Sequence, residues 1–181
     1  MTAFVLVPLL QQRFQKQQIL VTVLTATMVL AMIKVIFRFA DIWPDNGDPW
    51  LLVCLVIHTS LAAGLLTTAG IMFGSMVADL VDEQEHRVGR RQEGVFSSAL
   101  GFSAKATSSL GLIIGGFLLD FVIGFPRGTQ PGEVAGDILF RLAFTDGIAV
   151  PICYFLPIYM LSRYTLTRDR LTAIQAELGR G

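Results

Sequence analysis

Residues 79–94 read DLVDEQEHRVGRRQEG, a dense run of mixed charge set between two long apolar stretches, Trp50–Ala78 and Phe96–Phe125. Each flanking stretch exceeds the roughly 20 apolar residues that carry a helix across a hydrocarbon core of about 30 Å. The charged run therefore marks an aqueous surface where one membrane helix ends and the next begins. The 181 residues are 53% hydrophobic and only 15% charged, with a mean hydropathy of +0.62, whereas an ordinary soluble domain carries about 25% charged residues. The apolar runs are continuous, without the short alternating segments of a membrane β-barrel. The pattern specifies an all-α integral membrane bundle.

Working outward, four full spans are expected, at residues 19–39, 50–80, 96–125 and 138–161. Residues 1–10 are apolar but about half the length of a crossing. They are expected to be the end of a partial helix whose beginning lies upstream, or a re-entrant piece. The membrane bundle then occupies 1–162, and 163–181 forms a tail. There Leu166, Ile174 and Leu178 recur at multiples of four and predict a short amphipathic surface helix. Span 50–80 would be about 46 Å long as a helix, so it must tilt, bend or project into water. Pro151 and Pro157 mark kinks in the last span. ADIWPDNGDPW and PRGTQPGEVAGD are turns, the first flanked by Trp43 and Trp50 as an aromatic belt.

Basic residues orient the chain. Arg13, Lys16, Arg87, Arg90, Arg91, Arg163, Arg168, Arg170 and Arg180 fall on one side. Lys34, Arg38, Arg127 and Arg141 fall on the other. The richer side is expected to be cytoplasmic, which places the charged run and the C-terminus inside a multi-pass protein of the cell inner (plasma) membrane. The net charge of zero gives no bias toward nucleic acid. Cys54 and Cys153 lie in apolar segments without metal-ligand spacing. No metal or resident cofactor is expected.

Lys105 carries the most chemistry. It sits on the order of 15 Å beyond the charged run, near mid-bilayer, where an ammonium costs about 3 kcal/mol or more. Ser98, Gly101, Ser108 and Ser109 share its helix face, forming a narrow small-and-polar stripe. Such a stripe suits a cavity wall that binds solute or couples to an ion, or a lysine that pairs with a carboxylate on a neighbouring helix. His58 is a candidate relay or an interhelical donor. Asp79, Asp82, Glu85, Arg87, Arg91 and Glu93 form either a solvated face of local ion pairs or a gate closing the cytoplasmic side. Gly70 and Gly74, and Gly111 and Gly115, have the spacing of close helix packing. Asp120, Arg141 and Asp146 are expected near the outer boundary, in pairing or cavity roles.

The ordered pattern Asp79-x-x-Asp82-Glu83-x-Glu85, Gly89-x-Arg91-x-Glu93-Gly94-x-Phe96-x-Ser98, Phe102, Lys105, Gly111, Gly115 resembles one family closely. It is similar to the segment joining the tenth and eleventh helices of the glycoside–pentoside–hexuronide:cation symporters, the melibiose permease-like branch of the major facilitator superfamily. Pro8-Leu9 with Phe14 and Lys16, and Tyr164-x-Leu166-Thr167, support the likeness. The resemblance implies the C-terminal part of a twelve-helix transporter, with an N-terminal six-helix half as the missing partner. It implies a small solute such as a sugar or glycoside and Na+ or H+ as coupling ion. It also implies a substrate and cation role for Lys105 and an inner-gate role for Asp82 and Arg91. Membrane lipid is the surrounding partner. The competing expectations are a non-transporting scaffold or degenerate transporter, and a metal-dependent phosphatidyl-alcohol transferase. Against the last, Asp82 is followed by Glu83 rather than glycine, and no second D-x-x-x-D follows.

Overall fold

The computed structural model describes residues 13–128, 130 and 132–179. The short apolar piece expected at residues 1–10, and Arg180, lie outside them. Among the described residues there are four helices long and apolar enough to cross a membrane: α1 (Lys16–Phe39), α2 (Pro49–Val88), α3 (Glu93–Ile123) and α4 (Gly136–Ser162). A shorter helix, α5 (Arg168–Glu177), follows in the tail. The chain is a multi-pass membrane bundle.

Helix α2 departs most from the sequence reading. It does not stop near residue 80 but runs for 40 residues, about 60 Å, twice the thickness of a hydrocarbon core. Its start is set by Asp48, whose carboxylate accepts from Trp50 N at 2.9 Å, with Pro49 at the first helical position. It continues through the charged run because Glu, Gln and Arg are good helix formers and their charges alternate at helical spacing. It ends where Gly89 takes a left-handed conformation, φ 71°, and donates to Glu85 O at 2.8 Å. The first ten residues of the run are thus the free end of a helix that projects beyond the bilayer.

In α4 the two prolines act where expected. Each lacks the N–H that would bond the carbonyl four residues back, which falls at Gly147 and Cys153. Those positions lie in a π-helical stretch, Thr145–Ala149, and at the break between Ile152 and Phe155. Helix α3 also finishes in π geometry over Leu118–Ile123.

Helix α1 is the hub, packing on α2 and on α4. Ile19, Leu20 and Val23 of α1 interlock with Ala69, Met72 and Met76 of α2, flanked by Leu161 and Tyr164 at the end of α4. Contact between α1 and α4 is tightest at Gly147, where an added Cβ would overlap Val35. The two G-x-x-x-G pairs behave differently. A Cβ at Gly70, Gly74, Gly111 or Gly115 meets nothing within 4 Å, so the close packing expected there is not made among the described residues. Helix α3 stands furthest from the core, with no buried residue over Glu93–Phe117.

Candidate functional site

The projecting end of α2 organises a polar network that reaches three other elements. Asp79, 8% exposed, accepts from Lys16 Nζ at 2.6 and 2.8 Å and ties the start of α1 to α2. Asp79, one of the six charged candidates for an ion-paired face or a gate, is joined to Lys16 of α1. Arg91, in the turn after Gly89, bridges Asp82 at 3.3 Å, Glu85 at 3.4 Å and Glu93 at 3.0 Å. One guanidinium thereby joins two turns of α2 to the first residue of α3. The hydrogen bond to Glu93 chiefly, with the charges of Glu93, Glu85 and Asp82, raises the Arg91 pKa above its ordinary value. Arg87 pairs within its own helix, with Glu83 at 2.6 Å.

Tail helix α5 completes this network, a role the sequence did not signal. Gln175 donates to Asp82 Oδ2 at 3.1 Å, and Glu177 lies 3.3 Å from His86 Nδ1. Arg170 approaches Glu83 at 3.9 Å. Ile174 is buried beneath these contacts, and Thr167 caps the helix by accepting from Arg170 N at 3.4 Å. Of the apolar trio Leu166, Ile174 and Leu178, Ile174 is the one buried as the tail helix meets α2. Tyr164, just before this helix, has its hydroxyl buried without a hydrogen-bond partner among the described residues. Burial, reinforced by the nearby charges of Asp79 and Glu83, pushes its pKa up to about 12.

Lys105 lies on α3, twelve residues after Glu93, so about 18 Å along the helix. Ser98, Gly101, Lys105, Ser108 and Ser109 are all exposed on α3. Their spacing falls within one regular helix, so they form a single continuous stripe. No partner for the Lys105 ammonium occurs among the described residues. Apolar neighbours on α3 are as open: Phe102 is 75% and Leu112 82% exposed.

His58 is not brought to that stripe by any contact. Its Nε2 sits 3.0 Å from Leu30 O on α1, and the Trp43 ring meets it edge-on at 6.4 Å. This is an interhelical tie between α1 and α2. One turn further along α1, Lys34 bonds Asp146 of the π-helical stretch at 2.7 Å, a pairing across helices. Asp120 pairs locally with Arg127 at 2.6 Å. Among the described residues, no three His, Cys, Asp or Glu side chains group so as to hold a metal ion.

Comparison with known proteins bears on what such an arrangement is for. The family model described as MFS/sugar transport protein matches residues 1–168. The chain belongs to this family. YagG of Escherichia coli (strain K12), described as a glycoside/cation symporter, is 34% identical over 109 residues, 57% of this chain and 22% of that protein. YnaJ of Bacillus subtilis (strain 168), an uncharacterized symporter, is 32% identical over 77 residues, 42% of this chain and 16% of that protein. The matched stretches are thus about a fifth of the length of these relatives. No solved structure matches the chain. The MFS/sugar transport match takes in all four spans, the charged run and the Lys105 stripe, and ends at the first residue of α5.

Proposed function

We propose that the chain forms part of a cation-coupled secondary transporter for a small solute, a sugar or glycoside, and that α3 supplies one wall of the solute cavity. The observation that carries this reading is Lys105: a cation at mid-depth on a membrane-length helix, on a small-and-polar stripe that the described residues leave exposed. An ammonium at that depth requires water, a counter-charge or a ligand, and midplane cavities between two transporter halves provide them. The six-helix N-terminal half is the partner that would close this cavity, and Na+ or H+ the coupling ion. The stripe of Ser98, Gly101, Ser108 and Ser109 supplies hydroxyls for solute and room for it to approach the backbone. We assign the charged run to the cytoplasmic side, where Asp82, Glu85, Arg91 and Glu93 hold α2 and α3 together in one state and release them in another. Asp79 and Asp82 are engaged by Lys16 and Arg91, which weighs against a carboxylate-bound metal and an enzymatic reading.

The test is solute uptake by the complete transporter reconstituted in vesicles. Lys105→Ala is expected to reduce sugar uptake at least tenfold with membrane insertion unchanged, and Lys105→Arg to retain more than Lys105→Ala. Unchanged uptake in Lys105→Ala would remove the cavity role and leave the scaffold reading.

A further inference from the structure

The projecting arm of α2 needs support from the side. Met76 is the last α2 residue of the shared apolar core. Asp82 and His86 lie about 9 and 15 Å beyond it along the helix. Tail helix α5 reaches both. Its root is fixed, because Leu161 and Tyr164 pack against the α1–α2 core and Gln17 of α1 donates to Leu161 O at 2.8 Å. From that root α5 runs against the arm. Gln175 meets Asp82, and Glu177 meets His86 one turn further along α2. Ile174, next to Gln175, is buried. The tail therefore ties the free end of α2 back to the end of α4.

Asp82 divides its two oxygens between the tail and the latch. Oδ2 accepts from Gln175 at 3.1 Å and Oδ1 from Arg91 at 3.3 Å. A carboxylate held at one oxygen keeps the other aimed at its partner. The bonds of Arg91 are uneven: Glu93 lies at 3.0 Å, but Asp82 and Glu85 at 3.3 and 3.4 Å, near the outer limit of a hydrogen bond. The α2 side of the link is thus the side that a small sideways displacement of the arm would break. We infer that α5 is a brace for this link and that Gln175 is a positioning residue, acting through Asp82 to keep the arm within reach of Arg91 and so to keep the start of α3 against α2. The inference rests on Arg91 being the releasable cytoplasmic link between α2 and α3. Its consequence is that unseating the tail loosens α3, so the tail sets how readily the cytoplasmic side opens.

The experiment is amide hydrogen exchange on the whole chain in lipid nanodiscs, read by mass spectrometry over the start of α3, residues 93–100. Three variants are compared with the parent: Gln175→Met, Arg91→Gln and the two combined. Methionine keeps the bulk and helix propensity of glutamine and removes only the donor. Gln175→Met should speed exchange in 93–100 by about threefold, the lower end of what one hydrogen bond contributes, because Glu85 and Glu93 still hold Arg91. Arg91→Gln should speed it more. The combined variant should exchange no faster than Arg91→Gln alone, since a positioning residue has nothing left to position. Residues 64–76, in the α1–α2 core, should exchange as in the parent throughout, which shows that the fold is kept. Parent-like exchange of 93–100 in Gln175→Met, with Arg91→Gln fast, would overturn the brace and leave the latch standing. Effects that multiply in the combined variant would make Gln175 an independent structural contact and overturn its positioning role. Parent-like exchange in Arg91→Gln would remove the latch and the brace together.

Discussion

The Lys16–Asp79 pair gives a prediction whose asymmetry follows from burial. The Asp79 side chain is 11% exposed and that of Lys16 29%. Removing one partner of a buried pair costs about 3–5 kcal/mol, because the other charge is left without compensation. For Lys16→Met the stranded group is Asp79, the more buried of the two. We expect a loss of about 2–3 kcal/mol, less than the full figure because Lys16 keeps some contact with solvent. For Asp79→Asn the stranded group is Lys16, whose long stem can carry its ammonium to the surface, and the loss should be about 1 kcal/mol. The double variant should fall within about 1 kcal/mol of the parent, giving a coupling energy of about 3 kcal/mol in a double-mutant cycle. The assay is reversible unfolding in mixed micelles of increasing SDS fraction, followed by helical circular dichroism. Equal small losses for both single variants, or a double variant as unstable as their sum, would show that the pair does not tie α1 to α2.

Gly147→Ala should destabilise the chain by about 1–3 kcal/mol through overpacking against Val35, measured in the same titration; Val35→Ala in that background should recover part of the loss. Arg91→Gln should lower the unfolding midpoint more at low salt than at 1 M salt, because the Arg91 side chain is 43% exposed and salt reaches its contacts; an effect independent of salt would contradict the geometry. Tyr164 should ionise near pH 12 in a spectrophotometric titration that compares the parent with Tyr164→Phe. Its folded pKa lies above the ordinary tyrosine value of about 10, so its contribution to stability is fully present below pH ~10 and is lost as pH rises from there through 12. A phenolate signal at the ordinary value would mean that the hydroxyl is not buried.

The spans were legible because length and apolarity are local properties, and so were the α4 interruptions, since a proline's missing donor acts on a carbonyl four residues away. The continuation of α2 to Val88 was also written locally: no proline interrupts it after Pro49, its last turns are strong helix formers, and Gly89 supplies the stop. The partners across helices were not legible. Lys16 with Asp79, Lys34 with Asp146 and Gln175 with Asp82 depend on the depth and rotation of two helices at once, which one sequence does not fix. The glycine motifs meet no facing helix among the described residues, for a related reason. Small residues at a spacing of four permit close approach but do not supply the facing helix, and the tight contact occurs at Gly147, whose small neighbour four residues away is Ala143 rather than a second glycine.

The polar network divides into parts of unequal strength, and the division suits the proposed function. Helices α1 and α2 share the apolar core and the ion pair of the buried Asp79 with Lys16. They also share the His58 contact with Leu30. Breaking them apart would expose apolar surface and strand a charge. By contrast, α3 buries nothing over Glu93–Phe117, and its ionic link to α2 passes through Arg91, whose side chain is 43% exposed. Exposed pairs exchange readily for water and salt. A transporter that closes one side of its cavity needs a latch that can be released without unfolding its walls. The arrangement provides that contrast, with a rigid α1–α2 unit carrying a charged arm and a loosely held α3 carrying Lys105. The tail helix grips the same Asp82 that Arg91 uses, so the seating of α5 and the hold on α3 draw on one carboxylate and are coupled.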